Sequence, residues 1–287
     1  MSTDTATPDV FKVRRISFEH PEDGLDRHFM SGDLVLSHII ATLSAIFPQG
    51  EDYFVRSVRN YRDQITDPLL KKQVGAFIGQ EAIHGREHRA LNDHFEALGF
   101  PSGRIDAFIG RRLRFQERFA PPKFRLAATA ALEHYTATLA EVLLGDPEAR
   151  ALFGDSEEVR SLLLWHAIEE SEHKAVAFDV YQAVTDSDDR YRARVMNLTT
   201  VTFIGISVFW TLVSLSKDPA SRDLRRLGRS FLGLRGSPWL SKAVRRKIRD
   251  YNRPGFHPND HDATELLAEW RERLFGEQGE LVDRLAS

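Results

Sequence analysis

The chain contains no cysteine. That absence alone removes disulfides, thiolate zinc sites, cysteine-ligated iron–sulfur clusters and cysteine nucleophiles. Any metal must therefore be held by His, Asp and Glu, and 11 histidines are present. An excess of positive charge is also missing, since 39 Lys and Arg face 42 Asp and Glu for a formal charge of −3. No global field gathers nucleic acid, and none is expected as a partner. The first 30 residues hold no apolar run behind a basic start, so a cytoplasmic location is expected. No stretch alternates with period two for long enough to make a sheet, and there is no repeat or heptad array. What remains is 287 residues, 42% hydrophobic and 28% charged, an ordinary globular composition able to build its own core.

The fold class read from this pattern is all-α. Residues 1–30 read as an extended arm with turns at Pro21–Gly24. A first helix is expected over 33–47, broken at Pro48-Gln49-Gly50, with a new one starting at Glu51. The next fills 68–98, with Asp67 as cap and Pro68 at its first position. Another follows over 123–145, stopped by Gly145, and a fifth runs from 157 to 184 without interruption. Residues 217–287 read as short helices wrapped on a 31–216 domain.

The segment from Val195 to Ser216 holds 22 residues without a charge. Its length would allow a membrane span. Asn197 and the Thr and Ser residues between Thr199 and Thr211 favour a helix buried on a helical core. A membrane-surface or partner-facing helix is the main alternative. The stretch 222–249 carries ten Lys or Arg against one Asp, a pattern of a solvated or membrane-facing patch.

Two segments carry carboxylate and imidazole groups at helical spacing. FIGQEAIHGREH puts Glu81, His84 and His88 at steps of four or less, within roughly 20–60° around the axis. WHAIEESEHKAVAFD puts His166, Glu170 and His173 on one face in the same way. Both contain Glu-x-x-His. Two first-row metal ions a few ångströms apart need bridging carboxylates and a terminal nitrogen each, which an antiparallel pair of such helices supplies. The other two helices of a four-helix bundle then provide one Glu apiece, and Glu51 and Glu133 stand in the right segments. Four carboxylates carry −4, which two divalent ions neutralise; without them four buried anions would be prohibitively costly. Glu133 is the most telling residue, because its neighbourhood LAATAALEHYTATLAEVLL is mostly apolar. One Glu-x-x-His alone is common on exposed helix faces; two, flanking an apolar helix with a central Glu, are not. His88 is left open between a further ligand, a supporting donor and an exposed group. Glu87, His134, Glu169 and Glu172 read as surface or supporting groups, and Asp179 as a supporting group or surface ion partner.

The order Glu51, Glu81-x-x-His84, Glu133, Glu170-x-x-His173 resembles the ferritin-like di-iron carboxylate proteins. With His166 added, His-x-x-x-Glu-x-x-His looks like the p-aminobenzoate N-oxygenase branch, in which a third His caps one iron. More narrowly, FPQGEDYFVRSVR, FIGQEAIHGREH and WHAIEESEHKAVAFDVY resemble a bacterial family known as predicted metal-dependent hydrolases, over about residues 10–250. The resemblance implies a ferritin-like four-helix bundle. It implies Glu51 and Glu133 as single carboxylate ligands, Glu81 and Glu170 as motif carboxylates, and His84, His173 and His166 as nitrogen ligands. His88 departs from the N-oxygenase pattern.

Imidazole and carboxylate donors suit Fe, Mn or Zn, and two divalent ions are expected, with iron favoured. The leading expectation is a di-iron enzyme that uses O2 to oxidise a small, largely apolar molecule, with Phe203, Phe209 and Trp210 lining or lidding its pocket. Two-metal hydrolysis of esters or phosphoesters is the alternative. A non-catalytic iron store or redox buffer is the third class. Membrane-surface contact through 195–216 and 222–249, and a homodimer, are further expectations.

Overall fold

The computed structural model describes residues 10–19, 25–186 and 188–286, and the turns expected at Pro21–Gly24 lie outside them. Among the described residues the chain is all-helical, with a single isolated bridge between Ile16 and Leu285. Four long helices surround the centre. α1 spans Leu34–Arg59 and α2 spans Pro68–Ala97, the two packed along their length. α3 (Ser102–Phe119) then crosses over to α4 (Pro122–Gly145), which after the short α5 (Pro147–Ala151) packs on α6 (Glu157–His173). Asp33 and Asp67 cap α1 and α2 by accepting from backbone N–H groups of their first turns.

α1 is continuous where a break at Pro48 is expected from sequence. A proline inside a helix removes one N–H and leaves the carbonyl four residues earlier without its donor. Here that carbonyl, Ser44 O, accepts instead from Asn92 Nδ2 of α2 at 2.9 Å. A side chain on the neighbouring helix thus supplies the missing donor, and Glu51 sits inside a long helix rather than at the start of one.

The expected fifth helix is divided. α6 ends at His173, and α7 (Val176–Val184) follows after a turn at Lys174-Ala175. No Gly or Pro marks the break. Lys174 is held there by Glu141 Oε1 at 2.8 Å and by the His261 carbonyl at 2.5 Å.

Two apolar clusters lie above and below the middle of the four long helices. One gathers the first half of α1, the second half of α2, the second half of α4 and α6, including Phe95, Trp165 and Ile168. The other gathers the opposite halves with α7, including Tyr53, Phe77, Leu126 and Phe178. That membership sets the directions: α1 and α6 run one way, α2 and α4 the other. The layer between the clusters is where Glu51, Glu81, Glu133 and Glu170 fall.

α8 (Asp189–Ser216) contains the uncharged segment and packs on α1 and α4. The expectation that it is buried is overturned. Only one face meets the bundle, and that face carries Thr199, Thr211 and Ser214 besides Val195, Met196 and Leu215. Between Leu198 and Leu212 the residues it exposes are apolar apart from Gly205: Leu198, Val201, Ile204, Val208, Phe209 and Leu212, with Arg194, Asn197 and Ser216 exposed at its ends. Beyond it come α9 (Leu224–Gly233), α10 (Lys242–Asp250) on α4, and α11 (Thr264–Phe275) on α6. Asp218, at the end of α8, accepts from Arg27 Nε at 2.9 Å and from His28 and His38 at 3.0 and 2.9 Å, tying the arm to α1 and α8. Ile16 and Phe18 of the arm are buried in the first cluster.

Candidate metal centre

All eight residues singled out by the motifs stand in one cluster between the apolar layers. Glu51, Glu81, His84, His88, Glu133, His166, Glu170 and His173 are each no more than 4% exposed. Glu170 Oε1 is at the centre. It lies 2.9 Å from His166 Nε2, 3.6 Å from His84 Nδ1 and 3.6 Å from His173 Nε2. Glu81 Oε1 faces His173 Nε2 at 3.1 Å and His84 Nδ1 at 3.9 Å. Glu133 Oε2 approaches His173 Nε2 at 3.3 Å, and Glu51 Oε1 approaches His166 Nε2 at 3.7 Å.

These contacts leave polar atoms orphaned. Both oxygens of Glu51, Glu81 and Glu133, Oε2 of Glu170, Nδ1 of His84 and Nε2 of His173 are buried without a well-formed hydrogen bond. Native interiors satisfy nearly all such atoms, so a convergent set of nine calls for something to satisfy it. Around it, Glu51/Glu81/His84, Glu81/Glu170/His173, His84/His166/Glu170 and Glu51/His88/His166 each form a group whose donor atoms lie within 4.8 Å of one another. The groups interlock through Glu51, Glu81, His84, His166 and Glu170. That arrangement fits divalent cations of the kind that accept carboxylate and imidazole together.

The outward-facing atoms of the same imidazoles are all engaged. His84 Nε2 meets Glu169 Oε2 at 3.0 Å, and Arg14 Nη1 donates to Glu169 Oε1 at 3.0 Å. His173 Nδ1 donates to Gln80 Oε1 at 2.9 Å. His166 Nδ1 meets His88 Nε2 at 2.8 Å, and His88 Nδ1 meets Ser44 Oγ at 2.9 Å. His88 therefore stands behind His166 in a Ser44–His88–His166 series. Aromatic rings press edge-on against the imidazoles: Trp165 on His84, Phe77 on His173, Phe47 on both His88 and His166. Hydrogen bonds and packing together fix each ring so that one nitrogen faces the centre.

Electrostatics follow from this crowding. Burial pushes Glu51 and Glu81 up, with neighbouring carboxylates adding to the rise. Glu133 is pushed to about 8 by burial and by Glu81. Burial also works against Glu170, yet the hydrogen bond from His166 and the close approach of His173 and His84 outweigh it and hold this carboxyl well below the usual range. Against the same penalty, Glu169 and Glu170 raise His84 to about 10, and Glu133, Glu170 and Glu81 raise His173 well above its ordinary value. His166, buried and beside His84, is lowered. The metal-free centre thus carries cationic His84 and His173 and holds protons on part of its surplus acids.

Sequence reading missed several contributors. Glu169, Glu87 and His134, read as surface or supporting groups, are buried, and the side chain of Glu172, a part-buried residue, is covered. Glu172 is paired with Arg14 and Arg271, Glu87 accepts from Phe18 N, and His134 Nε2 donates to the Lys247 carbonyl. Asp179 is a surface partner of His257 at 2.7 Å. Gly85 carried no signal, but a Cβ there would stand 3.3 Å from Glu51 Oε2, so glycine lets α2 come close to the Glu51 carboxylate. Arg14 lies far from both motifs in sequence, and Gln80, though next to Glu81, supports His173 of the other motif 93 positions away, so spacing reveals neither role.

A model of the family described as predicted metal-dependent hydrolase matches residues 12–262. The chain belongs to that family. Its members are described as metal-dependent, and the buried Glu/His groups supply a place for divalent metal in this one. No curated protein and no solved structure gives a significant match.

Next to the centre lies a cavity of about 250 Å³. His166 and Glu170 form part of its wall; the rest is mostly apolar, including Leu36, Ile40, Phe47, Leu139, Leu143 and Phe203. Among the described residues no Lys or Arg lines it. Of the three aromatics expected to line or lid a pocket, Phe203 does so. Phe209 faces outward, and Trp210 packs on Phe108 away from the cavity.

Proposed function

We propose that the chain is an enzyme built on a dinuclear metal centre in a ferritin-like four-helix bundle, and that it hydrolyses a carboxylic ester of a small, largely apolar molecule. The observation that carries the dinuclear reading is the set of nine orphaned donor atoms, more than one ion can satisfy, lying among overlapping buried Glu/His groups. Glu51, Glu81, Glu133, Glu170, His84, His166 and His173 would hold the ions, with His88 behind His166. When bound, such a pair supplies Lewis-acid activation of water and of a carbonyl group. Four carboxylates and two divalent ions balance at zero net charge, with the imidazoles neutral.

The chain's own residues do the rest. Leu36, Ile40, Leu139 and Leu143 bind the apolar part of the substrate and keep bulk water out. His166 and Glu170 are the polar groups that meet it, so the scissile bond belongs at that end. Glu169 with Arg14, and Gln80, hold His84 and His173 in register. Among the described residues the cavity wall carries no Lys or Arg to receive a phosphate, which supports a carboxylic ester over a phosphoester.

The O2-dependent oxidation expected from the N-oxygenase-like ligand pattern is less well supported than hydrolysis, which the family description backs. One feature favours it as a second reading: the cavity offers almost nothing polar to hold a leaving group. An iron store has less support, since the approach to the centre is apolar.

The test is turnover of chromogenic esters of increasing chain length, by protein loaded in turn with zinc, manganese and iron, with the metal-free protein as control. Metal-dependent hydrolysis that rises with chain length and disappears in Glu133→Ala is the expected result. No hydrolysis with any metal, together with rapid O2 consumption by the reduced iron form, would replace this reading with oxidation.

A further inference from the structure

The outer face of α8 is inverted relative to a water-facing helix. Leu198, Val201, Ile204, Val208 and Leu212 recur at steps of three and four, making an apolar stripe about 21 Å long. Val201 is 72% exposed and Val208 52%. The face toward the bundle carries the helix's threonines and Ser214, so the helix places its least polar side where water would be. A continuous exposed apolar surface of this kind marks an interaction site.

The flanks of the stripe share one chemistry. On one side, α3 exposes the neighbouring rings of Phe115 and Phe119, tilted against each other, among Arg111, Arg112, Arg114 and Arg118. Arg112 and Leu198 line one groove, so α3 borders the stripe directly. On the other side, α9 exposes Phe231 and Leu232 between Arg225, Arg229 and Arg235. Phe231 and Leu212 line a common groove there. An apolar centre bordered by arginines and interspersed phenylalanines is the composition of an interfacial membrane surface. A second copy of the chain seated by a two-fold axis would bring these arginines toward their own counterparts, which opposes self-association.

The cavity reaches the same region. Phe203 on α8 and Leu234 and Leu240 just after α9 form part of its wall, and Leu240 is 54% exposed. The cavity wall therefore reaches the surface at Leu240, just beyond α9, which borders the apolar face.

We propose that the face formed by α3, α8 and α9 docks on an anionic phospholipid bilayer, and that apolar substrate passes from the bilayer into the cavity past Phe203 and Leu240. α8 lies in the plane of the interface, because its inner side packs on α1 and α4 and cannot also meet lipid. The substrate half of this inference rests on the function proposed above; the docking half does not.

The full chain is sedimented with phosphatidylcholine vesicles, with and without phosphatidylglycerol, at low and high salt, in metal-free and metal-loaded form. Binding to the anionic vesicles, weakened by salt and independent of metal, is the expected result. Val201→Glu with Val208→Glu should lower partition about tenfold or more. Arg225→Glu with Arg229→Glu should lower it by a similar factor, in a variant that leaves the stripe intact. No sedimentation with either vesicle would overturn the proposal, as would binding untouched by both pairs of substitutions. A protein that is dimeric in the ultracentrifuge, becomes monomeric with Val201→Glu and ignores vesicles would assign the face to a second copy. Because no metal or turnover is needed, failure here leaves the metal centre standing, and failure of ester hydrolysis leaves the docking result intact.

Discussion

Replacing Glu133 by leucine separates what the fold wants from what the site wants. In the metal-free protein the Glu133 carboxyl is fully buried, is pushed to about 8 and has no well-formed hydrogen bond to either oxygen. A buried polar group left in that condition costs about 1–3 kcal/mol. Leucine is of similar volume, and Glu133 follows closely on Ala127, Ala128, Ala130 and Ala131 of α4, which belong to the second apolar cluster. His173, the imidazole facing Glu133, keeps Glu81 and Glu170 as counter-charges, so no cation is stranded. Metal-free Glu133→Leu is therefore expected to be more stable than the parent, by about 1–3 kcal/mol. For a chain of this size that is a rise of about 2–4 °C in Tm per kcal/mol. The metal-loaded comparison should invert. A ligand at a hundred times its dissociation constant stabilises by about 2.7 kcal/mol, and the variant should lose most of that gain. His173→Leu is the control: it leaves three facing carboxylates without their cation and should destabilise the metal-free fold by about 3–5 kcal/mol. Differential scanning calorimetry with and without metal reads all three proteins. A metal-free Glu133→Leu that melts below the parent, or that keeps the full metal-induced rise, would refute the reasoning.

Metal binding should release protons and strengthen with pH. Glu133, raised to about 8, is protonated at pH 7 without metal, and His84, raised to about 10, carries a proton that a ligand nitrogen must lose. Affinity should climb as pH approaches 8, and calorimetry in buffers of different ionisation enthalpy should count the protons released. Glu169→Ala removes the carboxylate that orients His84 and should weaken metal binding about 10–100-fold, with little change in the helical circular dichroism. Asn92→Leu leaves the Ser44 carbonyl beside Pro48 without a donor and should cost about 1–3 kcal/mol in chemical denaturation.

The parts of the fold legible in sequence are those set by local chemistry. Asp67-Pro68 and Gly145 mark α2 and α4 because caps and breakers act within one turn. Helical spacing is equally local, which is why Glu81 with His84 and Glu170 with His173 could be grouped before any coordinates. Pro48 misleads because its rescue comes from Asn92, 44 positions away. The break after His173 is invisible for the same reason, being held by Glu141 and the His261 carbonyl. Glu169 and Arg14 form a supporting layer whose partners meet only in three dimensions. α8 misleads differently: an uncharged run looks buried by composition, while the structure turns Thr199 and Thr211 inward and Val201 and Val208 out.

The most direct measurement is anomalous X-ray scattering on crystals grown with iron, manganese or zinc, collected across each element's edge. Two ion peaks, one within ligand reach of Glu51, Glu81, His84 and His166 and the other of Glu81, Glu133, Glu170 and His173, are the predicted result. Crystals soaked in all three metals that show no anomalous peak among these side chains, or only one bound on the protein surface, would contradict the account.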